Sequence, residues 1–138
     1  MTPAELAQLW EEHTSHEFST RDTESTLATM AEDAYVNHVP VLTGGTGKPA
    51  LRLFYSRDFI PSMPPDTGVG ATYRYVEVAL VAIVHFRNGK LAHENIYWDQ
   101  ASVLKQIGIL AADRLPVFGA ESARKVRVGA GRELSAEE

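Results

Sequence analysis

Apolar side chains recur every three or four residues near the start of the chain, which is the spacing of a helix. The segment Thr2-Pro3-Ala4-Glu5 has the form of a capping box with proline at the first helical position. The residues that follow at helical spacing are Leu6, Leu9, Trp10 and His13. This pattern predicts a first helix from Pro3 to about Phe18. Asp22 can cap a second helix that runs through Asp33, with buried positions at Leu27, Met30 and Ala31.

A strand and a third helix follow. Tyr35 to Val39 is rich in strand formers and stops at Pro40, so we predict a strand there. Pro49 can open a helix, and prolines at 61, 64 and 65 would end it. Its apolar residues are Leu51, Phe54, Tyr55 and Phe59. Residues 61–70 are predicted to form a loop.

The strongest local signal is a β-hairpin. A run dense in β-branched and aromatic residues spans Thr72 to Phe86, and a second spans Leu91 to Asp99. Asn88-Gly89 lies between them, and both residues tolerate the positive φ of a two-residue turn. Such a turn would place Val84 opposite His93.

This register divides the hairpin into two faces, neither of them fully polar. The first face would carry His93, Asn95, Tyr97 and Asp99 beside Val78, Leu80, Ala82 and Val84. The second would carry Glu94, Ile96 and Trp98 beside Ala79, Val81 and Ile83. We therefore expect one face to cover a pocket or core and the other to meet helices or a second subunit.

The remaining pattern completes an α+β architecture, with helices on a curved antiparallel sheet. A short helix is predicted from Ala101 to Ile107, ended by Gly108, and a last one over Ala120 to Val128. Residues 129–138 are polar and Gly-rich and are predicted to be a flexible tail. Residues 1–128 would form a single domain.

Composition narrows the function classes. The chain has 138 residues, of which 44% are hydrophobic, enough for one core. Its formal net charge of -5 argues against nucleic-acid binding. The absence of cysteine excludes disulfides and a cysteine nucleophile. Neither a signal-peptide start nor a membrane-spanning stretch is evident, so the expectation is a soluble cytoplasmic protein.

Three segments resemble the SnoaL-like branch of the NTF2-like superfamily. The most specific runs from Ile96-Tyr97-Trp98-Asp99-Gln100 to Gly108, and the others are Tyr35-Val36-Asn37-His38 followed by Gly44-Gly45, and Val81 to Leu91. The resemblance covers most of residues 6–110. It implies a cone, in which a bent sheet wraps around helices and encloses an apolar cavity. The chain departs from the family pattern between residues 65 and 78, where about one hairpin is missing.

The resemblance also implies candidate catalytic residues. Asp99 matches the acidic position from which SnoaL-type cyclases are thought to remove a proton, but it also precedes a predicted helix and could simply cap it. His38 matches an early strand position and could polarise a carbonyl, and the Tyr97 hydroxyl could donate to an enolate oxygen. This chemistry requires no cofactor. The chain also lacks a G-x-S-x-G nucleophile elbow, which argues against a serine hydrolase.

The expected ligand is a small, largely apolar carbonyl compound. Its binding residues are predicted to be Trp10, Tyr35, Tyr55, Leu80, Ala82, His93 and Asn95. Glu94 should face away from Asp99, so the two are not paired as acid and base. His13 and His16 lie within one helical turn but lack an evident third ligand, so no metal site is predicted.

The alternative to an enzyme is a non-catalytic domain that binds a small molecule or serves in assembly. Members of the family commonly dimerise through the sheet, so the resemblance implies a homodimer.

Overall fold

The structure is a computed structural model, and it describes residues 1–59 and 74–135. The predicted loop at 61–70, and most of the segment in which a hairpin is expected to be missing, lie outside the described residues. The described chain falls into two compact units. The first comprises 1–59 with 82–96, and the second comprises 74–81 with 97–135. Whether 1–128 behaves as a single domain stays a prediction.

The first helix begins where its capping box predicts. Helix α1 spans Pro3–Thr14, and the Thr2 hydroxyl accepts from the backbone N–H of Glu5 while the Glu5 carboxylate accepts from that of Thr2. The chain then continues as a π-helical segment, Ser15–Thr20. Two backbone N–H groups at the start of the next helix donate to Asp22, again as predicted.

Helix α2, Thr23–Ala28, is shorter than the predicted helix through Asp33. Residues Met30–His38 form strand β1 instead. Met30 pairs with Leu91, which lies in a strand distant in sequence. The backbone N–H of Leu91 donates to the carbonyl of Thr29. This long-range pairing overrides the helical spacing of Leu27, Met30 and Ala31, because propensity is a weak prior beside tertiary contacts.

The described sheet has four strands in the order β2-β1-β4-β3. Strand β2 spans Thr43–Thr46, β3 spans Leu80–Arg87 and β4 spans Lys90–Trp98. Strand β1 runs antiparallel to β2 but parallel to β4. The sheet is therefore mixed, whereas the sequence predicted an antiparallel one. A parallel pair requires a long connection, which the residues between β1 and β4 supply.

The hairpin turn forms as predicted, but the residues of β3 and β4 that share a face differ from the prediction. Asn88 and Gly89 have φ of 53° and 71°, which is the two-residue geometry. His85, rather than Val84, lies against His93, with ring centroids 4.8 Å apart. The regular alternation breaks at the start of β4, where Leu91 and Ala92 are both buried. Such an irregularity moves the following side chains to the opposite face.

The hydrophobic core lies in the first unit. Helix α3, Lys48–Leu53, continues as a second π-helical segment, Phe54–Phe59. The buried apolar side chains are Leu27, Met30, Ala34, Val36, Leu51, Phe54, Tyr55, Leu91, Ala92 and Ile96. They come from α2, β1, α3, the second π-helical segment and β4. The helical segments therefore cover one face of the sheet.

The second unit contains helices α4, Gln100–Gln106, and α5, Ala120–Ser135. The Gln106 side-chain amide accepts from the backbone N–H of Glu77 and donates to the Glu77 carbonyl. The Glu77 carboxylate accepts from the Arg124 guanidinium of α5. Helix α5 continues through much of the segment predicted as a tail. Among the described residues, no helix has both the length and the apolar character needed to cross a bilayer.

Candidate functional site

Four polar side chains lie close together inside the first unit. They are His13, Glu17, Tyr55 and Glu94, and their exposed fractions are 0, 5, 1 and 3%. Ionisable side chains are almost never fully buried without a partner. Their burial inside an otherwise apolar core marks this cluster as the candidate functional site.

Local structure explains how the four side chains meet. His13 lies in the last turn of α1, and Glu17 follows four residues later in the first π-helical segment, so both point to one side. Tyr55 lies in the second π-helical segment. Glu94 lies in β4 beside Val36 of β1, on the buried face of the sheet. Short π-helical turns are uncommon and often occur at functional sites.

His13 is held by a chain of short contacts. Its Nδ1 lies 2.6 Å from Thr29 Oγ1, and the Thr29 hydroxyl donates to the carbonyl of Thr26, also at 2.6 Å. On the other edge of the ring, Nε2 lies 3.1 Å from Glu17 Oε1. Nε2 is buried and has no hydrogen-bond partner within the described part of the chain. Trp10 stacks on the ring at 5.8 Å between centroids.

Burial shifts the pKa values of two groups in the cluster. Burial, and then the negative charge of Glu17, raises the pKa of Glu94 from 4.5 to about 8. Burial also raises the pKa of Tyr55 well above 10, with further contributions from the charges of Glu17 and Glu94 and from the hydrogen bond that its hydroxyl donates to Glu17. Glu94 therefore exchanges its proton near neutral pH, whereas Tyr55 keeps its own.

His38, a predicted catalytic residue, lies on the same strand face as Val36, at the end of β1. It is half-buried, and its ring lies 5.8 Å from that of Phe54. Burial lowers the pKa of His38, and the charge of Glu17 only partly opposes this. The imidazole is therefore neutral at physiological pH, as the predicted interaction with a carbonyl requires.

Three predicted ligand-binding residues meet on the opposite, more exposed face of the sheet. His93 stacks on Tyr35, with centroids 4.8 Å apart and rings within 7° of parallel. Asn95 Nδ2 donates to the Tyr35 hydroxyl oxygen at 3.5 Å, and Asn95 Oδ1 accepts from Asn37 Nδ2 at the same distance, 3.5 Å. A shallow cleft of about 400 Å³ runs beside them along β1 and β2.

Asp99 is exposed and caps α4, since its carboxylate accepts from the Ser102 N–H at 3.1 Å. This is the capping geometry that the sequence left open as an alternative. Asp99 belongs to the second unit together with Tyr97 and Leu80, whose exposed fractions are 44 and 58%. The predicted residues Trp10, Tyr35, His38, Tyr55, Ala82, His93 and Asn95 belong to the first unit. The catalytic role of Asp99 stays a prediction.

The sequence did not single out Glu17 or Glu94 as site residues. His13 was paired with His16, but the structure brings one ligand atom each of His13, Glu17 and Glu94 within 4.8 Å of one another. One signal was present: Glu17 follows His13 by four residues, which places both on the same helical face. No local signal shows which face of β4 is buried.

Comparison with known proteins places the fold. No family model matches the chain, and no curated protein matches it. Solved structures do. An NTF2-like protein from Burkholderia xenovorans is 17% identical at a TM-score of 0.58, over 78% of this chain and 99% of that one. TsrD from Streptomyces laurentii is 18% identical at a TM-score of 0.57, over 80% of this chain and 99% of that one.

A third structure has a ketosteroid isomerase-like fold and was solved with trimethylamine. This protein from Catenulispora acidiphila is 14% identical at a TM-score of 0.54, over 84% of this chain and 100% of that one. Sequence identities this low speak for the fold and not for an activity. This chain therefore has the NTF2-like α+β fold.

Proposed function

We propose that this chain binds a small, largely apolar carbonyl compound and moves a proton on it, in the manner of the SnoaL-like cyclases that its sequence resembles. The observation that carries the proposal is the burial of the Glu94 carboxyl beside Tyr55 and a second carboxyl, Glu17. In this proposal Glu94, rather than Asp99, is the group that takes and returns the proton.

The roles follow from the surroundings of each group. A general acid or base is most effective when its pKa lies near the working pH, and burial brings Glu94 into that range. A carbanion next to a carbonyl is stabilised as an enolate when a donor meets its oxygen. Tyr55 keeps its proton and could act as this donor, and the neutral His38 imidazole at the strand end could be a second.

The test follows exchange of the hydrogen next to the carbonyl in a panel of cyclic ketones and enones dissolved in D₂O. Proton NMR records the loss of that signal with and without the purified chain. We expect faster exchange with the wild-type chain, and a loss of about 100-fold or more in Glu94→Gln, because one acid–base group contributes about 10²–10⁴-fold. Asp99→Asn should retain the wild-type rate, since asparagine also caps helices.

Two outcomes would contradict the proposal. Exchange that persists in a folded Glu94→Gln variant would remove the role of Glu94. Loss of exchange in Asp99→Asn alone would restore Asp99 as the base. Circular dichroism establishes that both variants are folded before their rates are compared.

A second candidate is binding without chemistry, in the open cleft along β1 and β2. The observation that favours it is the arrangement of Tyr35, His93 and Asn95 beside this cleft, where aromatic faces and amides meet without a buried acid. Native mass spectrometry of the purified chain would detect a retained molecule. Under this candidate, Tyr35→Ala releases that molecule and Glu94→Gln does not.

A further inference from the structure

The contacts of His13 determine which ring nitrogen carries a proton in the neutral imidazole. The Thr29 hydroxyl gives its hydrogen to the carbonyl of Thr26, at 2.6 Å. Its oxygen must then accept from His13 Nδ1, which also lies 2.6 Å away. Nε2 is consequently left with a bare lone pair. Metal-binding histidines are typically fixed in this way, by one ring nitrogen that donates to an oxygen while the other stays free to ligate.

In this tautomer the Nε2 lone pair faces a carboxylate oxygen, and the two repel each other unless a proton or a metal cation lies between them. Glu17 Oε1 is 3.1 Å away, and no hydrogen bond in the described residues satisfies Nε2, although His13 is fully buried. Glu94 brings a second carboxyl to the same place, with the three ligand atoms within 4.8 Å of one another. A divalent cation carries two positive charges, which would cancel the two negative charges of the Glu17 and Glu94 carboxylates. The buried site would then have no net charge.

We propose that His13 Nε2, Glu17 and Glu94 form a binding site for a divalent transition-metal ion of the zinc type. Imidazole and carboxylate ligands suit this class, whereas Mg²⁺ keeps several waters and Ca²⁺ takes six to eight oxygens. Ligand atoms around tetrahedral zinc lie about 3.4 Å apart, given zinc–ligand distances of about 2.0–2.2 Å. The three atoms lie within 4.8 Å of one another, so the widest pair would have to close by up to about 1.4 Å, through rotation of the glutamate side chains around the ion.

The site goes beyond the proposed proton transfer and does not depend on it. A cation and the transferred proton would compete for the same Glu94 carboxyl, so bound zinc should slow any proton exchange that depends on Glu94. Binding itself is measured without a carbonyl compound. Failure of one proposal is therefore distinguishable from failure of the other.

The experiment adds Zn²⁺ to the full chain after a chelator has been used and dialysed away. Equilibrium dialysis with metal analysis should give one zinc per chain, and competition with a chromogenic chelator gives the affinity. His13→Gln and Glu94→Gln should each weaken binding by about 100-fold or more, since even outer partners of a ligand change affinity 10–100-fold. Mg²⁺ should not compete.

The matched controls are His16→Gln and His85→Gln. His16 lies on the same helical run but outside the three-residue cluster, and His85 stacks on His93 at the surface, where adventitious zinc could bind. Both variants should bind zinc as the wild-type chain does. A second measurement needs no variant: in nitrogen-15 spectra of the histidine side chains, Nε2 of His13 should shift in proportion to bound zinc.

The proposal is overturned if the wild-type chain takes up no zinc, or if uptake disappears in His85→Gln. It is equally overturned if zinc shifts the imidazole signals of other histidines and leaves those of His13 unchanged. Should either ligand variant fail to fold, the spectrum of the wild-type chain still decides between these outcomes.

Discussion

Replacing Glu94 by glutamine measures how strongly the core disfavours a charged carboxylate at this position. The pKa of Glu94 is about 8 in the folded chain and 4.5 in the absence of the fold. One pKa unit corresponds to about 1.4 kcal/mol, so the difference corresponds to about 5 kcal/mol of folding free energy. The folded state binds the proton more tightly. This stability is therefore fully present below pH 4.5 and is lost as the pH rises to about 8.

Glutamine has nearly the same shape and carries no charge at any pH. The free energies of unfolding of the two proteins should differ least at acidic pH. As the pH rises from 4.5 to about 8, the free energy of unfolding of the wild type should fall by several kcal/mol relative to that of the variant. Urea denaturation followed by circular dichroism at about pH 5, 7 and 9 gives the free energies of unfolding. A chelator keeps metal ions out of the comparison. Glu11→Gln, at an exposed position of α1, serves as the control.

The reasoning is refuted if the difference in stability between Glu94→Gln and the wild type stays constant across these pH values. It is also refuted if Glu11→Gln shows the same pH dependence, because an exposed glutamate has no comparable burial. A gain smaller than about 5 kcal/mol but with the expected sign would still fit, since local opening lets water reach the carboxylate at high pH.

Three further substitutions test the remaining structure. Asp99→Ala removes the acceptor that caps α4 and should lower the free energy of unfolding by about 1 kcal/mol in urea denaturation; no change would argue against the cap. Gly44→Ala would place a Cβ 1.9 Å from the carbonyl oxygen of Val36 at φ +137°, so its thermal midpoint should fall by several degrees, and an unchanged midpoint would mean that β2 can move away. Tyr55→Phe removes the hydroxyl that donates to Glu17 and should lower the free energy of unfolding by about 1–3 kcal/mol, whereas a more stable variant would contradict that hydrogen bond.

The parts of the fold that the sequence predicts are those with local causes. The capping box at Thr2 and Glu5 needs only neighbouring backbone groups, and it forms. The Asn88-Gly89 turn needs only two residues that tolerate positive φ, and it also forms. Short-range chemistry of this kind can be read from a few adjacent letters, because the groups that satisfy each other are close in the chain.

The parts that could not be predicted depend on distant residues. Met30 has the spacing of a helical core position, but its pairing with Leu91 makes it part of a strand. The consecutive burial of Leu91 and Ala92 breaks the alternation and changes which residues of β3 and β4 share a face. Nothing in the local sequence of either strand specifies this irregularity, which depends on what packs against the sheet.

The same distinction explains why the sequence found some residues near the site and missed its centre. Asp99 stands out because a motif and a capping preference both favour aspartate there, and the structure places it in an exposed cap. In the sequence, Glu94 cannot be distinguished from a glutamate on the solvent-facing side of a strand. Only the structure shows that its side of β4 is buried. The helical spacing of His13 and Glu17 was available, but only the fold supplies the third member.

Measuring stability and proton exchange on one variant gives more than either measurement alone. An acid held in a core at a cost of about 5 kcal/mol at high pH is a poor choice for stability, and glutamine should relieve that cost. If Glu94→Gln is more stable above neutral pH and has also lost proton exchange, the buried Glu94 carboxyl is the functional group, since activity and stability oppose each other at such sites. If the variant is more stable and exchange is unaffected, Glu94 is a buried charge without a part in proton transfer, and the open cleft beside Tyr35 becomes the place to look for a ligand.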